Sequence, residues 1–395
     1  MQVKTKEPYT VTGNPSGHSN GEGTDPKGKR AQIAIKARNN RKEKFTSLLH
    51  HVDYKLVEEC LHKIPRSSAT GADRMTVTQA RDNLNWLLPP LLQQIHKGQY
   101  EAPPVRRVYI PKADGGKRPL GVPQVVDRAI QKAVSTVLNE IYEQDFLKCS
   151  FGFRPDLNCH NALATINELL FKGGMNFALE VDIRDFFGSL SHEWLGKFLE
   201  LRIGDQRVLK LIKTWLKAGV MEDNKWQETE NGTPQGGSIS PLLANVYLHY
   251  VLDLWFEHRI KKQLRGRAQL VRFADDFVIL FDERSDLDTV KTLLVARLAQ
   301  FGLSIAEEKT HMTDLIARPN QGSQDRRRMT FLGFSIFRGH TRDRKRTKVV
   351  FKTDGKRYTR AKLKLKERLH KIMHLPIEEQ AASINSYLRG HYNYY

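Results

Sequence analysis

The sequence predicts an α+β fold in which helices surround an antiparallel sheet. Two observations predict the sheet: residues 177–187 alternate apolar and polar side chains with the period of a strand, and within residues 270–280 two runs of strand-forming apolar residues flank Asp275 and Asp276. A third predicts the helices, since apolar residues recur at helical spacing over residues 240–256 and 357–369. The length of 395 residues allows two or three domains and a sizeable core.

A β-hairpin with two adjacent carboxylates at its tip is predicted near residue 275. Apolar runs of strand-forming residues stand on both sides of Asp275 and Asp276. Asp is a favourable turn residue because its short side chain bonds nearby backbone groups and tolerates unusual dihedral angles. A polar hairpin tip is common in proteins, so a function for this one depends on a second observation.

The second observation is an upstream strand that carries a further carboxylate. Alternation over residues 177–187 places Asp182 on one face and an apolar set on the other, namely Phe177, Leu179, Val181 and Ile183. One Asp on a strand beside two Asp on a hairpin is typical of a site for two Mg²⁺ ions. Hard cations prefer carboxylate oxygens and complete their shells with water and phosphate, and two metals roughly 4 Å apart can activate one oxygen and stabilise another.

These residues belong to a series of motifs that resembles the reverse transcriptases. The sequence FADD at 273–276 is similar to the YADD box of that family, with Phe in place of the usual Tyr. The other motifs follow in the order of the family: RVYIPK at 107–112, GKRPLGVP at 116–123, DRAIQ at 127–131, SFGFRP at 150–155, TPQGGSISPLLAN at 233–245, GLSI at 302–305, EKT at 308–310 and FLGF at 331–334. The forms of the RPLG and QGG motifs resemble group II intron-encoded proteins in particular, over about residues 45 to 395.

The resemblance implies a right-hand polymerase fold with fingers, palm and thumb, in which the palm sheet is antiparallel and a thumb/X segment is helical. Residues 1–44 would form a flexible basic leader, residues 45–340 the fingers and palm, and residues 341–395 the thumb with the start of the maturase (X) domain. The terminal string resembles the start of the maturase signature, with His391 in place of the usual Trp. Because relatives continue further, we expect a truncated or naturally short form without an endonuclease.

The resemblance also implies which residues carry out catalysis. Asp182, Asp275 and Asp276 would be catalytic and would bind two Mg²⁺ ions, with the backbone carbonyl of Ile183 as a further oxygen ligand. A purely structural protein has no reason to keep three converging carboxylates, because their negative charges repel one another.

Four further residues would contact the incoming dNTP. Lys112 and Arg118 flank a turn-rich hairpin tip whose positive charges suit the phosphates of a triphosphate. Phe187 would be a steric gate against the 2′-OH, and a place in the core remains the alternative for either Phe186 or Phe187. Gln235 precedes two glycines, which allow the backbone to approach a ligand closely.

The charge of the chain predicts a polyanionic partner. The net charge is +20, and residues 326–371 hold eighteen Lys or Arg against three acids. Lys and Arg gain affinity for nucleic acids by releasing counterions from phosphates. Apolar residues interleave with this charge, so an ordered RNA-binding surface is favoured over a solvated or disordered run. Its centre is a basic helix that would be the thumb, with candidate RNA contacts at Arg360, Lys362, Lys364 and Lys366.

The N-terminal region predicts a flexible segment followed by a helix. Residues 1 to about 30 are rich in Gly, Ser, Asn, Pro and Lys and have little apolar periodicity. From Lys36 to Val57, apolar residues at helical spacing follow a basic stretch and predict an amphipathic helix. In the family this position helps to bind RNA, and a plain core helix is the equally supported alternative.

Other features of the sequence indicate a cytoplasmic protein. The three cysteines, Cys60, Cys149 and Cys159, show no metal-binding spacing, and their odd number indicates reduced thiols. The chain contains neither an apolar run of membrane-spanning length nor the apolar core of a signal peptide, which predicts no membrane partner. We expect a bacterial protein associated with the nucleoid or a ribonucleoprotein, and a homodimer is compatible with the sequence.

The sequence therefore predicts an RNA-directed DNA polymerase of a mobile group II intron. Its partners would be the intron RNA, a DNA target or primer, and dNTPs, and it would assist splicing and copy the RNA into DNA. One alternative is an RNA-binding splicing factor whose polymerase site is unused. Another is a domesticated or defence-linked reverse transcriptase. No Walker loop, HExxH or GxSxG motif indicates a rival chemistry.

Overall fold

The computed structural model describes residues 26–111, 116–222, 225–227, 232, 236–316, 327–341, 343 and 347–395. In these ranges the α-helices are Pro26–Asn39 (α1), Tyr54–His62 (α2), Val77–Asp82 (α3), Leu84–His96 (α4), Val125–Asp145 (α5), Cys159–Phe171 (α6), Phe186–Ser189 (α7), His192–Glu200 (α8), Gln206–Leu216 (α9), Ser240–Leu248 (α10), Ser285–Ala299 (α11), Gly355–Ile372 (α12) and Ile377–Tyr394 (α13). The strands are Val105–Pro111 (β1), Lys117–Val122 (β2), Phe177–Asp182 (β3), Val220–Glu222 (β4), Lys225–Gln227 (β5), Ala268–Phe273 (β6), Asp276–Phe281 (β7), His311–Asp314 (β8), Met329–Phe331 (β9), Phe334–His340 (β10) and Thr347–Thr353 (β11).

The central sheet contains the strands that the sequence predicts. Its order is β6-β7-β3-β8, and all neighbouring strands are antiparallel. Strands β6 and β7 form the hairpin predicted around Asp275, and β3 is the strand predicted to carry Asp182. The predicted α+β class with an antiparallel sheet is therefore confirmed.

The two faces of the central sheet belong to two separate cores. One face contributes Leu179 and Ile279 to the larger core, which also contains buried residues of α5, α9, α10 and α11. The opposite face contributes Ala178 and Val278 to a smaller core that includes α6, β9 and β10. Burial of one such aliphatic side chain stabilises the fold by roughly 1.5–3 kcal/mol. Because both faces are packed, the sheet is a rigid support for the residues at its ends.

Two smaller sheets flank this centre. The first has the order β2-β1-β4-β5 and includes the antiparallel hairpin of β1 and β2, whose tip at residues 112–115 lies outside the described residues. The second has the order β11-β10-β9 and lies in the smaller core through Phe331 and Ile336. The first of these sheets carries the RPLG motif and the second carries the FLGF motif.

The N-terminal segment differs from its prediction as a flexible leader through residue 44. Helix α1 buries Ala37, and the guanidinium of Arg202 donates to the backbone carbonyls of Ala37 and Asn40 at 3.2 and 2.9 Å. Arg202 is buried and is paired with Asp145 at 2.8 Å. The sequence predicted a helix only from Lys36 onward, and Arg202, which holds the segment in the fold, lies far away in the sequence.

The single amphipathic helix predicted from Lys36 to Val57 is wrong in its extent. Helix α1 ends at Asn39, a 3₁₀ turn covers Leu49–His51, and α2 begins at Tyr54. The Asp205 carboxylate accepts hydrogen bonds from the backbone amides of Leu48 and Leu49, and the Asp53 side chain caps α2. These two carboxylates satisfy backbone donors in a turn, which breaks the helix that periodicity alone predicts.

The remaining predicted helices are present. The helix predicted from Ser240 begins as α10 and continues through π-helical turns at His249–Asp253 and Phe256–Ile260. The basic helix predicted at residues 357–369 is α12, which begins beside the capping side chain of Asp354. Across the described ranges, no helix is long and apolar enough to cross a membrane.

A buried carboxylate connects α5 with two neighbouring segments. Asp127 lies in the first turn of α5 and accepts hydrogen bonds from the Tyr100 hydroxyl and the Trp215 indole at 2.8 Å each. Its second oxygen accepts from the Gln131 amide at 3.1 Å. Burial raises the pKa of Asp127 to about 6, although the three donors act in the opposite direction. Keeping the Asp127 carboxylate charged in the folded protein therefore lowers the free energy of unfolding.

We expect Asp127→Asn to be tolerated and Asp127→Ala to be destabilising by about 2–4 kcal/mol, because Ala leaves three buried donors without an acceptor. Asn keeps an oxygen for Tyr100 and Trp215, and its amide can donate to the Gln131 oxygen, which has no partner in the structure, once the Gln131 amide rotates. Urea unfolding of the three proteins at neutral pH measures both effects.

The pH dependence of stability provides the second part of this test. A pKa raised in the folded state means that Asp127 contributes most stability below pH 4 and loses it as the pH rises through about 6. The loss amounts to about 3 kcal/mol over that window. The free energy of unfolding of wild type should therefore fall relative to that of Asp127→Asn between pH 4 and pH 7. A constant difference across this range would contradict the assignment.

Candidate active site

The predicted carboxylates lie together at one end of the central sheet. Asp182 is the last residue of β3 and stands directly opposite Asp276, the first residue of β7. Asp275 lies in the turn between β6 and β7, after Ala274 with a φ of 59°. All three Asp residues line one cleft with a volume of about 790 Å³. Side chains directly opposite in an antiparallel pair have Cβ atoms about 5 Å apart.

The negative charges of three closely spaced carboxylates dominate the electrostatics of this cleft. Solvent reaches Asp276, yet protein atoms surround it on most sides. This desolvation, together with the negative charges of Asp275 and Asp182, raises the pKa of Asp276 to about 7. Desolvation also raises the pKa of Asp275, where the charge of Asp182 adds to the effect and the positive charge of Arg118 opposes it. The cleft therefore favours the binding of a cation.

One positive charge is already in contact with Asp182. The ammonium group of Lys309 lies 2.8 Å from the Asp182 carboxylate, and the Asp182 carbonyl accepts from the amide of Ala306 at 2.8 Å. A second ion pair, between Arg184 and Glu308 at 3.1 Å, fixes the same turn. The EKT motif is thus joined to the end of β3, a contact that sequence reasoning did not predict.

The backbone carbonyl of Ile183 accepts neither of the two hydrogen bonds in the bridge between Ile183 and Ile305. Ile183 and Ile305 form an antiparallel bridge whose hydrogen bonds run from Arg184 to Ser304 and from Ala306 to Asp182. Because these two bonds flank Ile183, the bridge does not use the Ile183 carbonyl. That oxygen therefore remains eligible as the ligand predicted from the sequence.

The chemistry of these donors fits a divalent cation. Clustered carboxylates with raised pKa values gain from a cation that neutralises their charge, and hard cations prefer such oxygens. Within the described part of the chain, no group of three or more His, Cys, Asp or Glu side chains is arranged to hold a metal ion. A cation in the cleft would therefore take further ligands from backbone carbonyls, water or phosphate.

A buried ion pair beneath the hairpin holds its turn in place. Arg272 and Asp253 are both fully buried and lie 2.6 Å apart. The Arg272 guanidinium also donates to the Ala274 carbonyl at 3.0 Å, the Asn245 side chain at 2.9 Å and the Ser150 hydroxyl at 2.8 Å. Loss of one partner from a buried pair typically costs about 3–5 kcal/mol. Two motifs that are distant in the sequence, SFGFRP through Ser150 and SPLLAN through Asn245, thus contact Arg272, the residue directly before FADD.

The SFGFRP motif lies directly against the same turn. A side chain at Gly152 would meet the amide nitrogen of Ala274 at 2.4 Å, so only glycine fits there. The Gly152 carbonyl accepts from the Asn245 side chain at 2.7 Å, and the Phe151 amide donates to the Arg272 carbonyl at 2.9 Å. This close contact explains physically why the SFGFRP and SPLLAN motifs accompany the FADD hairpin.

The predicted dNTP contacts are only partly within the described residues. Arg118 lies on β2 opposite Ile110, and its positive charge acts to lower the pKa of Asp275. Lys112 and Gln235 lie outside the described residues. The next residue, Gly236, has a φ of 129°, and a side chain there would meet the Gly121 carbonyl at 2.5 Å. The two motifs that carry Arg118 and Gln235 are therefore in contact.

Phe186 and Phe187 have different environments. Phe186 is buried in the larger core, whereas Phe187 is half-buried and packs edge-on against it, with ring centroids 5.3 Å apart. Asp185, with a φ of 39°, turns the chain sharply after β3. The core alternative thus describes Phe186, and the predicted gate at Phe187 remains a prediction.

The predicted RNA contacts lie on an exposed helix. Arg360, Lys362, Lys364 and Lys366 are all exposed on α12. The start of this helix lines the cleft through Asp354, Gly355 and Lys356. The basic surface is therefore continuous with the rim of the candidate active site.

A carboxylate that sequence reasoning missed lies on the same face of the sheet. Glu180 is buried on β3 and accepts from the Thr313 hydroxyl and the Thr330 amide at 2.8 Å each. Directly after β9, the backbone of Leu332 acts to lower the pKa of Asp276. The alternation of Ala178, Glu180 and Asp182 on one face was the available signal.

The sequence of the chain is similar to that of one known protein family. The profile of the family described as "Reverse transcriptase (RNA-dependent DNA polymerase)" matches residues 110–336, more than half of the chain. The chain belongs to the reverse transcriptase family. As a member of this family it has the right-hand polymerase fold that the resemblance implied, with the antiparallel central sheet as its palm.

The relatives of this reverse transcriptase confirm its resemblance to group II intron-encoded proteins. It is 33% identical over 304 residues to the group II intron-encoded protein LtrA of Lactococcus lactis subsp. cremoris, covering 62% of this chain and 49% of LtrA. It is 33% identical to protein YkfC of Escherichia coli over 53% of this chain and 62% of YkfC. The chain thus spans about half the length of LtrA.

A solved structure of telomerase from Candida albicans is also similar to this reverse transcriptase. The TM-score is 0.47 and the sequence identity 15%, over 61% of this chain and 46% of the telomerase chain. This similarity is too weak to assign any residue or ligand.

Proposed function

We propose that this reverse transcriptase is the RNA-directed DNA polymerase of a mobile group II intron, with Asp182, Asp275 and Asp276 as its catalytic residues. The observation that carries the proposal is that these three carboxylates line one cleft of a chain in this family. Its partners would be the intron RNA, a DNA primer or target, and dNTPs. Assistance to splicing, association with the nucleoid or a ribonucleoprotein, and a homodimer belong to the same proposal.

The three carboxylates and the Ile183 carbonyl would hold two Mg²⁺ ions, which supply positive charge that activates a hydroxyl and stabilises a leaving phosphate. In the reaction, the 3′ oxygen of the primer forms a bond to the α-phosphorus of the dNTP, and the bond to pyrophosphate breaks. The hydroxyl proton leaves to solvent. The chain contributes by holding primer end and nucleotide close together, which removes much of the entropic barrier.

Residues around the cleft would bind the two substrates. Lys112, Arg118 and Gln235 would position the triphosphate, since Lys and Arg form strong hydrogen bonds to phosphate oxygens. The basic surface of α12, formed by Arg360, Lys362, Lys364 and Lys366, would bind the RNA backbone. In this proposal residues 45–340 are fingers and palm, residues 341–395 are the thumb and the start of the X domain, and residues 1–44 precede them.

Primer extension tests the proposal directly. The purified protein, given an RNA template, an annealed DNA primer, dNTPs and Mg²⁺, should extend the primer, and replacement of Mg²⁺ by a chelator should stop extension. The same protein should bind group II intron RNA more tightly than an unstructured RNA of equal length. A protein that binds the intron RNA but never extends a primer would instead be a splicing factor with an unused polymerase site.

We expect Phe187→Ala to admit ribonucleotides. If the half-buried ring blocks the 2′-OH, its removal should raise kcat/KM for rNTPs by roughly 10- to 100-fold and leave dNTP use within a few-fold of wild type. Single-nucleotide incorporation of each dNTP and rNTP pair measures this ratio. Phe171→Ala, at an exposed aromatic residue on α6, is the matched control. If Phe187→Ala discriminates as well as wild type, the gate is another residue.

A further inference from the structure

One aromatic side chain of the SFGFRP motif is exposed although its backbone conformation is unfavourable. The side chain of Phe153 is 56% exposed, and its φ is 59°. Positive φ is uncommon for residues other than glycine, and for a bulky residue it is a strained conformation. A large apolar ring that is not packed in a core, on a strained backbone, contributes little to the stability of the fold. Its presence therefore points to a function.

The residues on both sides of Phe153 are fixed by hydrogen bonds. The Gly152 carbonyl accepts from the side-chain amide of Asn245 at 2.7 Å. The Arg154 guanidinium is paired with the Glu143 carboxylate at 2.9 Å and also donates to two backbone carbonyls of the preceding loop, at 2.8 and 3.0 Å. A strained conformation persists only where such neighbouring contacts impose it, and strained residues cluster at functional sites.

The ring of Phe153 lies beside the catalytic end of the central sheet. Its centroid is 6.4 Å from that of Phe273, the first residue of FADD. Phe273 stands directly opposite Asp276 in the hairpin, and side chains in such a pair share one face with Cβ atoms about 5 Å apart. Phe273 packs against the smaller core, and alternation along β3 from Ala178, a member of that core, places Asp182 on the same face.

This face is not the one on which the proposed dNTP gate lies. Phe187 packs against the larger core, whereas Phe273, the neighbour of Phe153, packs against the smaller core. The primer 3′ oxygen reacts at the carboxylates between the two, and this step of the inference rests on the proposed function. Consecutive nucleotides of a strand rise by about 3.4 Å, so the last nucleotides of the primer come within reach of the Phe153 ring.

The chemistry of an exposed aromatic ring suits this position. Every nucleobase has a π-face, so stacking on an aromatic side chain binds nucleic acid without selecting its sequence. A polymerase has to hold a primer end of any sequence, which hydrogen bonds to base edges would not allow. An aromatic ring that is already exposed in the free protein also requires no rearrangement before it binds.

We propose that Phe153 stacks on the terminal nucleobase of the primer strand and holds the primer end against the FADD hairpin. The strained backbone of the SFGFRP motif directs the ring outward, and the contacts of Gly152 and Arg154 keep it there. Phe153 is in this way a substrate-binding residue on the primer side of the site.

The first experiment measures binding of a DNA primer annealed to an RNA template. Loss of one stacked base contact should raise Kd about tenfold in Phe153→Ala. Phe153→Tyr keeps the ring and should bind within about twofold of wild type. The control is Phe171→Ala, which removes an equally exposed aromatic ring from α6 and should also bind as wild type. Equal Kd values for wild type and Phe153→Ala overturn the proposal.

The second experiment identifies the strand. 5-Iododeoxyuridine forms a photo-cross-link to an aromatic side chain that stacks on it, and we place it either at the primer 3′ end or, as 5-iodouridine, at the opposite template position. The primer probe should label Phe153, and the label should vanish in Phe153→Ala and persist in Phe171→Ala. Labelling of Phe153 by the template probe alone, or by neither probe, overturns the assignment to the primer.

The third experiment separates substrate binding from a structural role. Asn adopts positive φ far more readily than Phe, so Phe153→Asn should melt at the same temperature as wild type or higher, while its Kd for the primer–template rises as in Phe153→Ala. A residue that mainly supports the fold would give the opposite result. A clear fall in the melting temperature of Phe153→Asn therefore overturns the proposal.

These measurements distinguish a failure of this proposal from a failure of the proposed function. Binding and cross-linking are carried out without dNTPs and do not require catalysis. If wild type extends no primer, the proposed function fails, while a Phe153-dependent cross-link to the primer end still supports stacking. If wild type extends primers and Phe153→Ala binds and cross-links as wild type does, the proposed function stands and the role of Phe153 is overturned.

Discussion

Replacing both Asp275 and Asp276 with Asn is expected to lower kcat for primer extension by about 1,000-fold or more, which corresponds to several kcal/mol of transition-state stabilisation. Asn has the shape of Asp but no charge, so the site loses most of its capacity to hold cations. The raised pKa values of both carboxyls indicate that their charges are crowded in the folded protein. The variant should therefore melt at the same temperature as wild type or higher.

The matched control for this variant is Asp314→Asn, at the opposite end of the same sheet, where Asp314 pairs with Phe177. It removes one negative charge from the palm without touching the cleft, and its kcat should stay within twofold of wild type. Extension at wild-type rates by the Asp275→Asn, Asp276→Asn protein would refute the assignment of both residues. Melting curves of all three proteins confirm that the comparison is between folded molecules.

Replacing Arg360, Lys362, Lys364 and Lys366 with Gln is expected to weaken RNA binding by roughly 100-fold at low salt. Each phosphate contact contributes about 0.7–0.9 to the slope of log affinity against log salt concentration, so the slope should become shallower by about 3. Binding to an intron RNA, measured between 50 and 300 mM salt, tests both quantities. The Asp275→Asn, Asp276→Asn protein should keep the affinity and slope of wild type.

The control for net charge replaces with Gln four exposed lysines on α8, on α9 and directly after α9, namely Lys197, Lys210, Lys213 and Lys217. It changes the net charge by the same amount on a different surface. If both sets flatten the slope equally, RNA binding depends on overall charge rather than on α12. If the α12 set leaves the slope unchanged, the basic helix is not an RNA-binding surface.

The parts of the fold that the sequence predicts well are those with a clear period. β3 follows from its alternation and the hairpin of β6 and β7 from the two apolar runs around Asp275 and Asp276, although both faces of the sheet are packed in a core. The motif order then relates Asp182 to Asp275 and Asp276. Their common cleft follows from the antiparallel pairing of β3 with β7.

Long-range polar contacts account for most of what the sequence did not predict. Arg202 holds residues 26–44 in the fold, and Asp205 interrupts a helix that periodicity predicts, although both lie far from the segments they affect. The buried pair of Arg272 and Asp253 looks like two ordinary charged residues in the sequence. A charged residue is usually exposed, so composition alone cannot identify those that are buried and paired.

The strand order β6-β7-β3-β8 has a consequence for the synthesis of this protein. β3 occupies an interior position, and both of its partners, β7 and β8, are translated well after it. The nascent chain therefore carries an apolar strand with two unpaired edges until the FADD hairpin has left the ribosome. Exposed edges of this kind recruit other strands, and such long-range pairing is intrinsically slow. Helices that are translated before β3, such as α5, would have to cover its apolar surface during this interval. The stability of the finished fold does not measure this requirement.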